Sequence, residues 1–466
     1  MPPEKIFKSY DIRGIYPSEI NEENIISITK AIFKLFQDKL GEEKQLKIVV
    51  GRDMRLSSPA LFEIVTKTLV NLGAEVIDIG LSPTTTFYFA VFEYGYDCGI
   101  QITASHNPKD YNGMKMVINS SSGLIKIGKS TGMEDIKKYA IDGVNPPKKD
   151  GGKITVHEEV LKDEAENALK IAGNPKLKTF KIVSDAANAM AALYLEELFK
   201  IIPGNLIKMN FNLDGTFPAH PADPLDPNNV VDLQKRVLAE NADLGIATDG
   251  DGDRLFFVDE QGEIVPPTII ISIVSQELLK NNPGETILVD IRYLLTPQKN
   301  VEESGGKLSI TKVGHAFITE KMYETGAIFA GESSAHYFFK ATGNGESQLP
   351  VVLSVLKKLT ETDKKLSEVR EELKRSYESG EINFRVKNAS EIMEKCKDEF
   401  NDGEISTLDG VAISFPTWRF SLRTSNTEPL LRLNLEALDE NTMRENKEKI
   451  LGLIEQLAVK EEGSSH

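Results

Sequence analysis

Cysteine is almost absent from this sequence, and so are long apolar runs. The two cysteines, Cys98 and Cys396, stand alone and match no metal-ligand spacing, which excludes a disulfide framework and is typical of a reducing cytoplasm. The longest strongly apolar stretches, such as residues 268–274, are far too short to cross a bilayer. The opening residues MPPEKIFKSYDIRG lack the apolar segment of a secretory signal. We therefore expect a cytoplasmic protein without a membrane partner.

An excess of positive charge is also absent. The 466 residues carry a formal net charge of −16, so a nucleic acid would be repelled over most of the surface, and we expect no nucleic-acid partner. Apolar residues at 40% and charged residues at 27% are typical of a globular protein. The length predicts several domains. A small anion would need a local cluster of Arg, Lys or His in loops.

What the sequence does contain is one pattern used three times. Two β-branched strands and a third apolar run are separated by helical stretches, and the third run ends in a polar loop that contains glycine. The runs are residues 47–51, 75–80 and 97–103, then 181–185, 206–211 and 242–248, then 286–290, 308–314 and 326–330. Such alternation predicts βαβ units with mostly parallel sheets, whose ligands bind beyond the carboxyl ends of strands.

The last part of the chain has a different pattern. Alternation in WRFSLRTSNTEP and LLRLNLEA predicts an antiparallel sheet, and ENKEKILGLIEQLAV predicts a closing amphipathic helix. We place domain boundaries near residues 150, 255 and 370. The predicted domains are residues 1–150, 151–255, 256–370 and 371–466.

The first polar loop is TASHNPKDYNGMK, at residues 103–115. No glycine flanks Ser105 as a serine-hydrolase elbow requires. A hydroxyl that carries a phosphoryl group needs donors for the phosphate oxygens and a proton shuttle for the acceptor alcohol. His106 and Lys115 can supply these, although alone the motif is also typical of a solvated turn.

The second polar loop is ATDGDGDRLFF, at residues 247–257. Asp249, Asp251 and Asp253 alternate with small residues and can converge on one hard cation, as Mg²⁺ requires. An EF-hand is the competing interpretation, with Glu260 as its last ligand. It is disfavoured because Arg254 occupies the position that needs glycine and because the flanks resemble strands. Arg254 would bind an anion.

The third polar loop, GESSAHYFF, begins at residue 331. Its Glu332 and Ser334 can bind neighbouring sugar hydroxyls, and His336 adds an imidazole. An ordinary polar loop is the alternative.

A fourth polar segment, RTSNTEP, occupies residues 423–429. It presents a guanidinium fork and several neutral donors, which is the chemistry of phosphate capture. A turn with a structural arginine is the alternative. The candidate phosphate ligands are Arg423, Ser425, Asn426 and Thr427.

One further segment, GLIKIGKS at residues 123–130, formally matches a nucleotide-binding P-loop. Its bulky apolar residues alternate around Lys126, which is typical of a strand rather than of a phosphate-wrapping loop. No convincing partner carboxylate is evident in the sequence. An ATP-using enzyme that depends on Lys129 therefore stays a minor alternative.

Taken together, TASHNP with NGMK, DGDGDR, GESSAH and RTSNTEP resemble, in this order, the α-D-phosphohexomutase superfamily. YDIRG and WRFSLRTSNTEPLLRLN are most similar to its phosphomannomutase/phosphoglucomutase branch. The resemblance extends from about residue 7 to about residue 437. It implies an α/β protein with three related mixed or parallel-sheet α/β domains and a C-terminal α+β domain, arranged around a central cleft.

The resemblance also implies residue roles. Ser105 is the expected phosphoserine, and together with Asp249, Asp251 and Asp253 it is expected to bind Mg²⁺. Glu332 and Ser334 are the expected readers of sugar hydroxyls. The segment from Arg423 to Thr427 is the expected site of the non-reacting phosphate. Further expected cleft residues are Arg13, His106, Lys115, Arg254, Arg292, His315 and His336.

Some positions depart from the pattern of the family. Arg292 stands where many members have Lys, and Ala335 stands where Gly is usual. Residues 343–347, GNGES, lack the Asp-Asp-Gly associated with this region. These departures bear on specificity or loop dynamics and remove no group that the chemistry requires.

The reaction implied is interconversion of hexose 1-phosphate and hexose 6-phosphate, with mannose, glucose or both as the sugar. It proceeds through phosphoserine and a 1,6-bisphosphate that also acts as activator. The partners expected are small hexose phosphates, and the chain is expected to be a monomer or a weak homo-oligomer. A phosphoglucosamine mutase is the nearest alternative, and a non-catalytic sugar-phosphate-binding protein is another.

Overall fold

The computed structural model describes residues 1–424 and 430–459. The first part of the chain forms a mixed sheet covered by helices. Its elements are β1 (Ile12–Ile15), α1 (Glu22–Leu40), β2 (Lys47–Arg52), α2 (Ser58–Asn71), β3 (Glu75–Leu81), α3 (Thr84–Glu93), β4 (Cys98–Ile102), β5 (Tyr111–Ser120), β6 (Gly123–Lys126), α4 (Glu134–Asp142) and β7 (Lys153–Val156). The strand order is β1-β5-β4-β2-β3-β7, and β6 pairs with β5.

The second part repeats this arrangement on a smaller scale. Its elements are α5 (Val160–Ile171), β8 (Phe180–Asp185), α6 (Ala191–Ile201), β9 (Gly204–Met209), α7 (Val231–Glu240), β10 (Leu244–Thr248), β11 (Leu255–Asp259) and β12 (Ile264–Val265). The strand order is β12-β11-β10-β8-β9.

The third part repeats it again. Its elements are α8 (Pro267–Leu279), β13 (Thr286–Asp290), α9 (Leu295–Glu303), β14 (Lys307–Thr311), α10 (His315–Thr325), β15 (Phe329–Gly331), β16 (Tyr337–Phe339), β17 (Gly345–Glu346), α11 (Leu349–Thr362) and α12 (Leu366–Leu373). The strand order is β14-β13-β15-β16-β17. Apolar residues of the second and third parts form one continuous core.

The three sheets share one topology, which confirms the repeat predicted from the sequence. In each, the first strand lies between two parallel neighbours: β2 between β3 and β4, β8 between β9 and β10, and β13 between β14 and β15. The last parallel strand then pairs antiparallel with the strand that follows it. Each polar loop therefore closes a β-hairpin, and the sheets are mixed.

Local sequence explains why the polar loops occupy equivalent positions. All five residues of β4 and all five of β10 are buried, so these strands have no polar face and must lie inside the sheet. Backbone groups that leave such strands need polar partners, and the chain becomes hydrophilic at once where each strand ends. The three loops consequently lie at the carboxyl edges of the three sheets.

The last part of the chain differs, as predicted. Its elements are β18 (Tyr377–Glu378), β19 (Ile382–Phe384), α13 (Ala389–Glu399), β20 (Glu404–Ser406), β21 (Val411–Ser414), β22 (Trp418–Thr424), β23 (Leu431–Ala437) and α14 (Glu440–Leu457). In the described part of this region the strand order is β18-β23-β22-β21-β20, with β19 also on β23, and every pair is antiparallel. The predicted fold class is confirmed.

The predicted domain boundaries near residues 150, 255 and 370 stay predictions. Strand pairing runs past the first two of them, because β7 pairs with β3 and β11 pairs with β10. None of the helices in residues 1–424 and 430–459 is both long and apolar enough to cross a membrane.

A buried carboxylate joins the last part of the chain to the third. Glu436 on β23 accepts hydrogen bonds from the backbone N–H groups of Leu294 and Leu295, at 2.5 and 3.1 Å, where α9 begins. It also pairs with Arg419 at 3.1 Å, and Arg419 donates to the carbonyl oxygen of Arg292 at 2.9 Å. The carboxylate therefore holds the C-terminal sheet against the segment that carries Arg292.

We expect Glu436→Ala to destabilise this junction by about 3–5 kcal/mol, because Arg419 would be left buried without its carboxylate. The chain has several cores and need not unfold in one step, so the measurement is the midpoint of the first unfolding transition in urea. Glu440→Ala is the matched control, since Glu440 forms an exposed ion pair with Arg444 and should contribute at most about 1 kcal/mol. Equal shifts for both variants would contradict this account of the junction.

Candidate active site

The three polar loops of the repeats meet in one place. They are the Ser105 loop (residues 103–110), the Asp249 loop (residues 249–254) and the Glu332 loop (residues 332–336). The hydroxyl of Ser105 donates to Asp249 Oδ2 at 3.1 Å, which joins the first loop to the second. His336 Nε2 lies 3.2 Å from Asp253 Oδ1, and Leu255 N–H donates to the carbonyl oxygen of Ala335 at 3.1 Å, which joins the second to the third.

Ser105 is held in an unusual backbone conformation. Its φ of +50° lies in the left-handed region, which costs a residue with a side chain about 1–3 kcal/mol unless its surroundings fix it. Its N–H donates to Thr103 Oγ1 at 3.0 Å, and its Oγ lies 3.3 Å from His106 Nδ1. Ser105 is 3% exposed. The loop thus presents one buried hydroxyl beside an imidazole and a carboxylate.

The conformation of the Ser105 loop depends on Arg55, which the sequence analysis missed. The guanidinium group is fully buried and donates to four backbone carbonyl oxygens. These belong to Ser105 at 2.7 Å, Asn107 at 2.6 Å, Pro108 at 2.7 Å and Tyr111 at 3.0 Å. Asp53 balances the charge, with its Oδ2 3.1 Å from Arg55 Nε. Arg55 therefore positions the loop without facing the cleft itself.

The same pairing of an aspartate with an arginine two residues later occurs in the third repeat. Asp53 follows β2 and Asp290 ends β13, and each accepts a hydrogen bond from the backbone N–H two residues later, in Arg55 and Arg292. Arg292 then reaches the Glu332 loop, where its Nη2 lies 3.2 Å from Ser334 Oγ. The second repeat keeps the aspartate, Asp185, with Ala187 in the place of the arginine. The signal was available in the sequence as DMR and DIR after equivalent strands.

Gly250 brings the second loop against the first. A Cβ atom at this position would lie 2.3 Å from the carbonyl oxygen of Ser105, which is closer than any side chain allows. The Asp249 loop can approach Ser105 because glycine lacks that atom.

Asp249, Asp251 and Asp253 all lie fully buried, with carboxylate oxygens within 4.8 Å of one another. Lys115 Nζ lies 2.6 Å from Asp251 Oδ2 and 2.5 Å from Asp253 Oδ2. Burial and the neighbouring carboxylates hold the pKa of Asp249 well above its ordinary value. Burial would lower the pKa of Lys115, but Asp251 and Asp253 outweigh it and raise the pKa overall. Without a bound cation the site therefore disfavours the charged form of Asp249, the one carboxylate of the three that Lys115 does not contact.

This carboxylate cluster has the chemistry of a divalent-cation site. One oxygen, Asp251 Oδ1, is buried and lacks a hydrogen-bond partner among the described residues. Oxygen ligands of this kind suit Mg²⁺ or Ca²⁺. The EF-hand alternative is not supported, because Glu260 is hydrogen-bonded to Ser367 of α12 and both flanks of the loop are strands.

Three more predicted residues surround Ser105. Arg13 Nη1 lies 2.6 Å from Asn107 Oδ1, and the arginine also pairs with Asp11 at 2.7 Å. Arg254 Nη1 lies 2.9 Å from Asp223 Oδ1 and its Nε lies 3.9 Å from Asp249 Oδ2. Burial, together with the charges of Arg254 and Arg13, holds the pKa of His106 well below its ordinary value. Cationic groups therefore surround a neutral imidazole.

The Glu332 loop is organised by charge as well. Glu332 Oε1 accepts from Gly314 N–H at 3.0 Å, and its Oε2 lies 3.0 Å from His336 Nδ1. Burial opposes charge on His336, yet Asp253 and Glu332 raise its pKa to about 9. Ser334 Oγ lies 3.1 Å from the same imidazole. Ala335, at φ +64°, occupies a left-handed position.

The segment 343–347, which departs from the pattern of the family, contributes a carboxylate. Glu346 Oε1 lies 2.8 Å from His315 Nδ1, and Oε2 forms an ion pair with Lys126 of the first sheet. The rings of His315 and His336 are 4.6 Å apart between centroids. Lys126 Nζ also lies over the rings of Tyr88 and Phe338, at 4.7 and 4.6 Å. Residues 343–347 therefore fix the orientation of the His315 ring through the contact with Glu346.

Lys126 belongs to the segment that matches a P-loop. Its residues Gly123–Lys126 form β6, as the apolar alternation predicted, and Lys129 and Ser130 are exposed. A phosphate-wrapping loop is not formed there, so the ATP-using alternative has no structural support.

A cluster of arginines lies where the third and fourth parts of the chain meet. Arg423 Nη2 lies 3.0 Å from Glu381 Oε2, and Arg432 Nη1 lies 3.2 Å from Glu381 Oε1. Arg292 Nη1 lies 3.7 Å from the same carboxylate. The predicted phosphate ligands Ser425, Asn426 and Thr427 lie outside the described residues. Arg432 and Glu381 were missed by the sequence analysis.

Comparisons with known proteins agree with this arrangement. Four family models match in order: the phosphoglucomutase/phosphomannomutase α/β/α domains I, II and III at residues 4–139, 162–262 and 266–377, and the C-terminal domain at residues 381–453. A phosphomannomutase of Methanocaldococcus jannaschii is 38% identical over 97% of this chain and 98% of its own. A relative in Xanthomonas campestris, described as phosphohexose mutases, is 35% identical over 95% of this chain and 97% of its own.

One solved structure is also similar over its full length. A phosphoglucomutase/phosphomannomutase family protein of Burkholderia thailandensis superimposes with a TM-score of 0.85 and 30% identity, covering 98% of both chains.

We expect Arg55→Met to loosen the Ser105 loop, because four carbonyl oxygens and Asp53 would lose a buried charged partner. The expected loss of stability is about 3–5 kcal/mol. Hydrogen exchange of peptides that cover residues 103–112 should become faster under conditions where the rest of the first sheet stays protected. Arg52→Met is the matched control, since Arg52 is only partly buried and lies over the ring of Phe62. Unchanged exchange in the Arg55 variant would refute the positioning role.

Proposed function

This chain belongs to the phosphoglucomutase/phosphomannomutase family, and we propose that it interconverts hexose 1-phosphate and hexose 6-phosphate through a phosphorylated Ser105. The observation that carries this proposal is the buried Ser105 hydroxyl, 3.1 Å from Asp249 within a group of three carboxylates. The sugars proposed are mannose and glucose, since the similar proteins carry the names phosphomannomutase and phosphohexose mutase.

The nucleophile is proposed to be Ser105 Oγ. Phosphorylated Ser105 gives its phosphoryl group to the free hydroxyl of a hexose monophosphate. The resulting 1,6-bisphosphate turns around in the cleft, and the phosphate at its other end is transferred to Ser105, which leaves the isomeric monophosphate and restores phosphoserine. Transfer of a phosphoryl group depends mainly on positioning and charge stabilisation. Arg55 fixes the backbone of Ser105, and His106 lies 3.3 Å from the reacting oxygen, where it can hold a proton. Lys115, Arg13 and Arg254 supply positive charge near the transferred group.

The proposed metal is Mg²⁺, held by Asp249, Asp251 and Asp253 with an oxygen of the phosphorylated Ser105. The unsatisfied buried oxygen of Asp251 and the close approach of the three carboxylates support this assignment. When bound, Mg²⁺ neutralises charge on phosphoryl oxygens. The protein positions the ligands through hydrogen bonds to them, including those from Thr84 Oγ1 to Asp251 and from the Asp253 and Arg254 N–H groups to Asp249.

The sugar is proposed to lie between the Ser105 loop and the Glu332 loop. Glu332 and Ser334 bind two neighbouring hydroxyls, and the contacts of Glu332 with Gly314 and His336 support a fixed carboxylate. The distal phosphate is proposed to bind near Arg292 and Arg423, with Ser425, Asn426 and Thr427 as further donors. One distal site suffices because the bisphosphate turns end over end and presents either phosphate to it.

We expect Ser105→Ala to abolish turnover of mannose 1-phosphate and glucose 1-phosphate, because no other hydroxyl occupies its place. Binding of sugar phosphate should stay within about tenfold of wild type, since the distal phosphate keeps its arginines. Intact-protein mass spectrometry should find one phosphate on wild type after incubation with a hexose 1,6-bisphosphate and none on the variant.

Ser122→Ala is the matched control, because Ser122 is an exposed serine in the turn that follows β5. Near-normal turnover by the Ser105 variant, or phosphate on another residue, would refute the proposed reaction. Adding glucosamine 1-phosphate to the same assay tests the alternative of a phosphoglucosamine mutase.

A further expectation concerns sugar specificity. Glucose and mannose differ only at C2, whereas a bisphosphate that turns over can keep presenting O3 and O4 to Glu332 and Ser334. We expect Glu332→Ala to lower kcat/KM for both sugars by similar factors, about 10- to 150-fold, because each loses a hydrogen bond to a charged partner worth about 1.5–3 kcal/mol. Ser333→Ala is the control from the same loop. A loss confined to one sugar would mean that another group reads C2.

A further inference from the structure

Arg423 and Arg432 form a cross-strand pair. They are direct partners in the antiparallel register of β22 and β23, and like charges directly opposite one another destabilise a sheet. Glu381 lies just before β19, which pairs with the same part of β23, and its two carboxylate oxygens each contact one arginine, at 3.0 and 3.2 Å. The carboxylate therefore bridges two cationic groups that would otherwise repel each other.

A third arginine extends this group to the neighbouring sheet. Arg292 Nη1 lies 3.7 Å from Glu381 Oε2. Arg292 is itself paired with Asp290 at 2.9 Å, so Glu381 is shared by Arg423 and Arg432 and, at a longer distance, by Arg292. Burial would raise the pKa of Glu381, but Arg292, Arg423 and Arg432 lower it overall, so the carboxylate stays charged at neutral pH.

Arg423 is almost entirely buried beside Glu381, which contacts it through Nη2. Its side chain is 4% exposed, whereas that of Glu381 is 26% exposed. A phosphate monoester that approaches Arg423 meets the guanidinium edge already taken by Glu381, and carboxylate and phosphate oxygens compete for the same N–H donors.

We propose that Glu381 is an internal competitor of the distal phosphate: it occupies the arginines when no substrate is bound and is displaced by the phosphate on binding. Glu381 thereby keeps the cross-strand arginines in place without ligand and sets the affinity for the phosphate. This proposal rests on the proposed function only in taking the arginines to be the distal phosphate site.

The test uses the full chain and inorganic phosphate as the probe, so it needs no turnover. Removing the competing charge in Glu381→Gln should tighten phosphate binding about tenfold in calorimetric titration, within the 5- to 150-fold range typical of coupled sites. The same variant should melt at a lower temperature without phosphate and gain more than wild type when phosphate is added. Glu404→Gln, an exposed glutamate of β20, is the matched control and should change neither value.

Inorganic phosphate can also bind elsewhere on the chain, and the Arg423→Gln variant shows how much of the measured binding occurs at this site. Binding that the Arg423 variant leaves intact would refute the assignment of the distal site itself. If Arg423 is required but Glu381→Gln binds phosphate equally or more weakly, Glu381 orients the arginines and the competitor proposal fails. Should Glu381→Gln not fold, Glu381→Asp is expected to fold, to contact the arginines less well and to bind phosphate more tightly than wild type, and weaker binding would again refute the proposal.

Discussion

The arrangement of this protein depends on three carboxylates buried together in one short loop. Asp249, Asp251 and Asp253 repel one another, and their own domain offers them Arg254 and backbone N–H groups. The remaining compensation comes from other parts of the chain: Lys115 of β5 and Thr84 of α3 in the first part, and His336 in the third. Because a buried charge without a partner is costly, these contacts from the first and third parts stabilise the carboxylates in the position that the second part gives them.

The residues around the three carboxylates are also held by pairs of buried charged groups. His336 is shared between Asp253 and Glu332, so the loop proposed to bind the sugar is tied electrostatically to the loop proposed to bind the metal. His315 lies against His336 and is backed by Glu346, which pairs in turn with Lys126 of the first sheet. Each histidine thus has a carboxylate that fixes its ring, and the series joins the third sheet to the second through Asp253 and to the first through Lys126.

The sequence was sufficient for the fold and for the loops, because both have local signals. Strand β13 was predicted with its observed bounds, and β2 was predicted one residue short. Both strands could be recognised in the sequence because each is a β-branched run that ends in a polar segment. Arg55, Glu346 and Glu381 were missed because their partners are distant: 50 positions for Arg55 and Ser105, 220 for Glu346 and Lys126, and 42 for Glu381 and Arg423. Composition alone does not distinguish a buried charge from a solvated one. Only the repeated DMR and DIR held a usable signal.

The chain has a formal charge of −16, and four arginines near the proposed site are each paired with a carboxylate. The pairs are Arg13 with Asp11, Arg254 with Asp223, Arg292 with Asp290, and Arg423 with Glu381. The first three carboxylates are near neighbours or sit in loops that shape the site, whereas Glu381 spans two strands and is partly exposed. Binding a phosphate at Arg423 is therefore an exchange of one anion for another rather than the filling of a bare cationic pocket. Such an exchange limits affinity, and a limited affinity suits a bisphosphate that must release its distal phosphate in order to turn over.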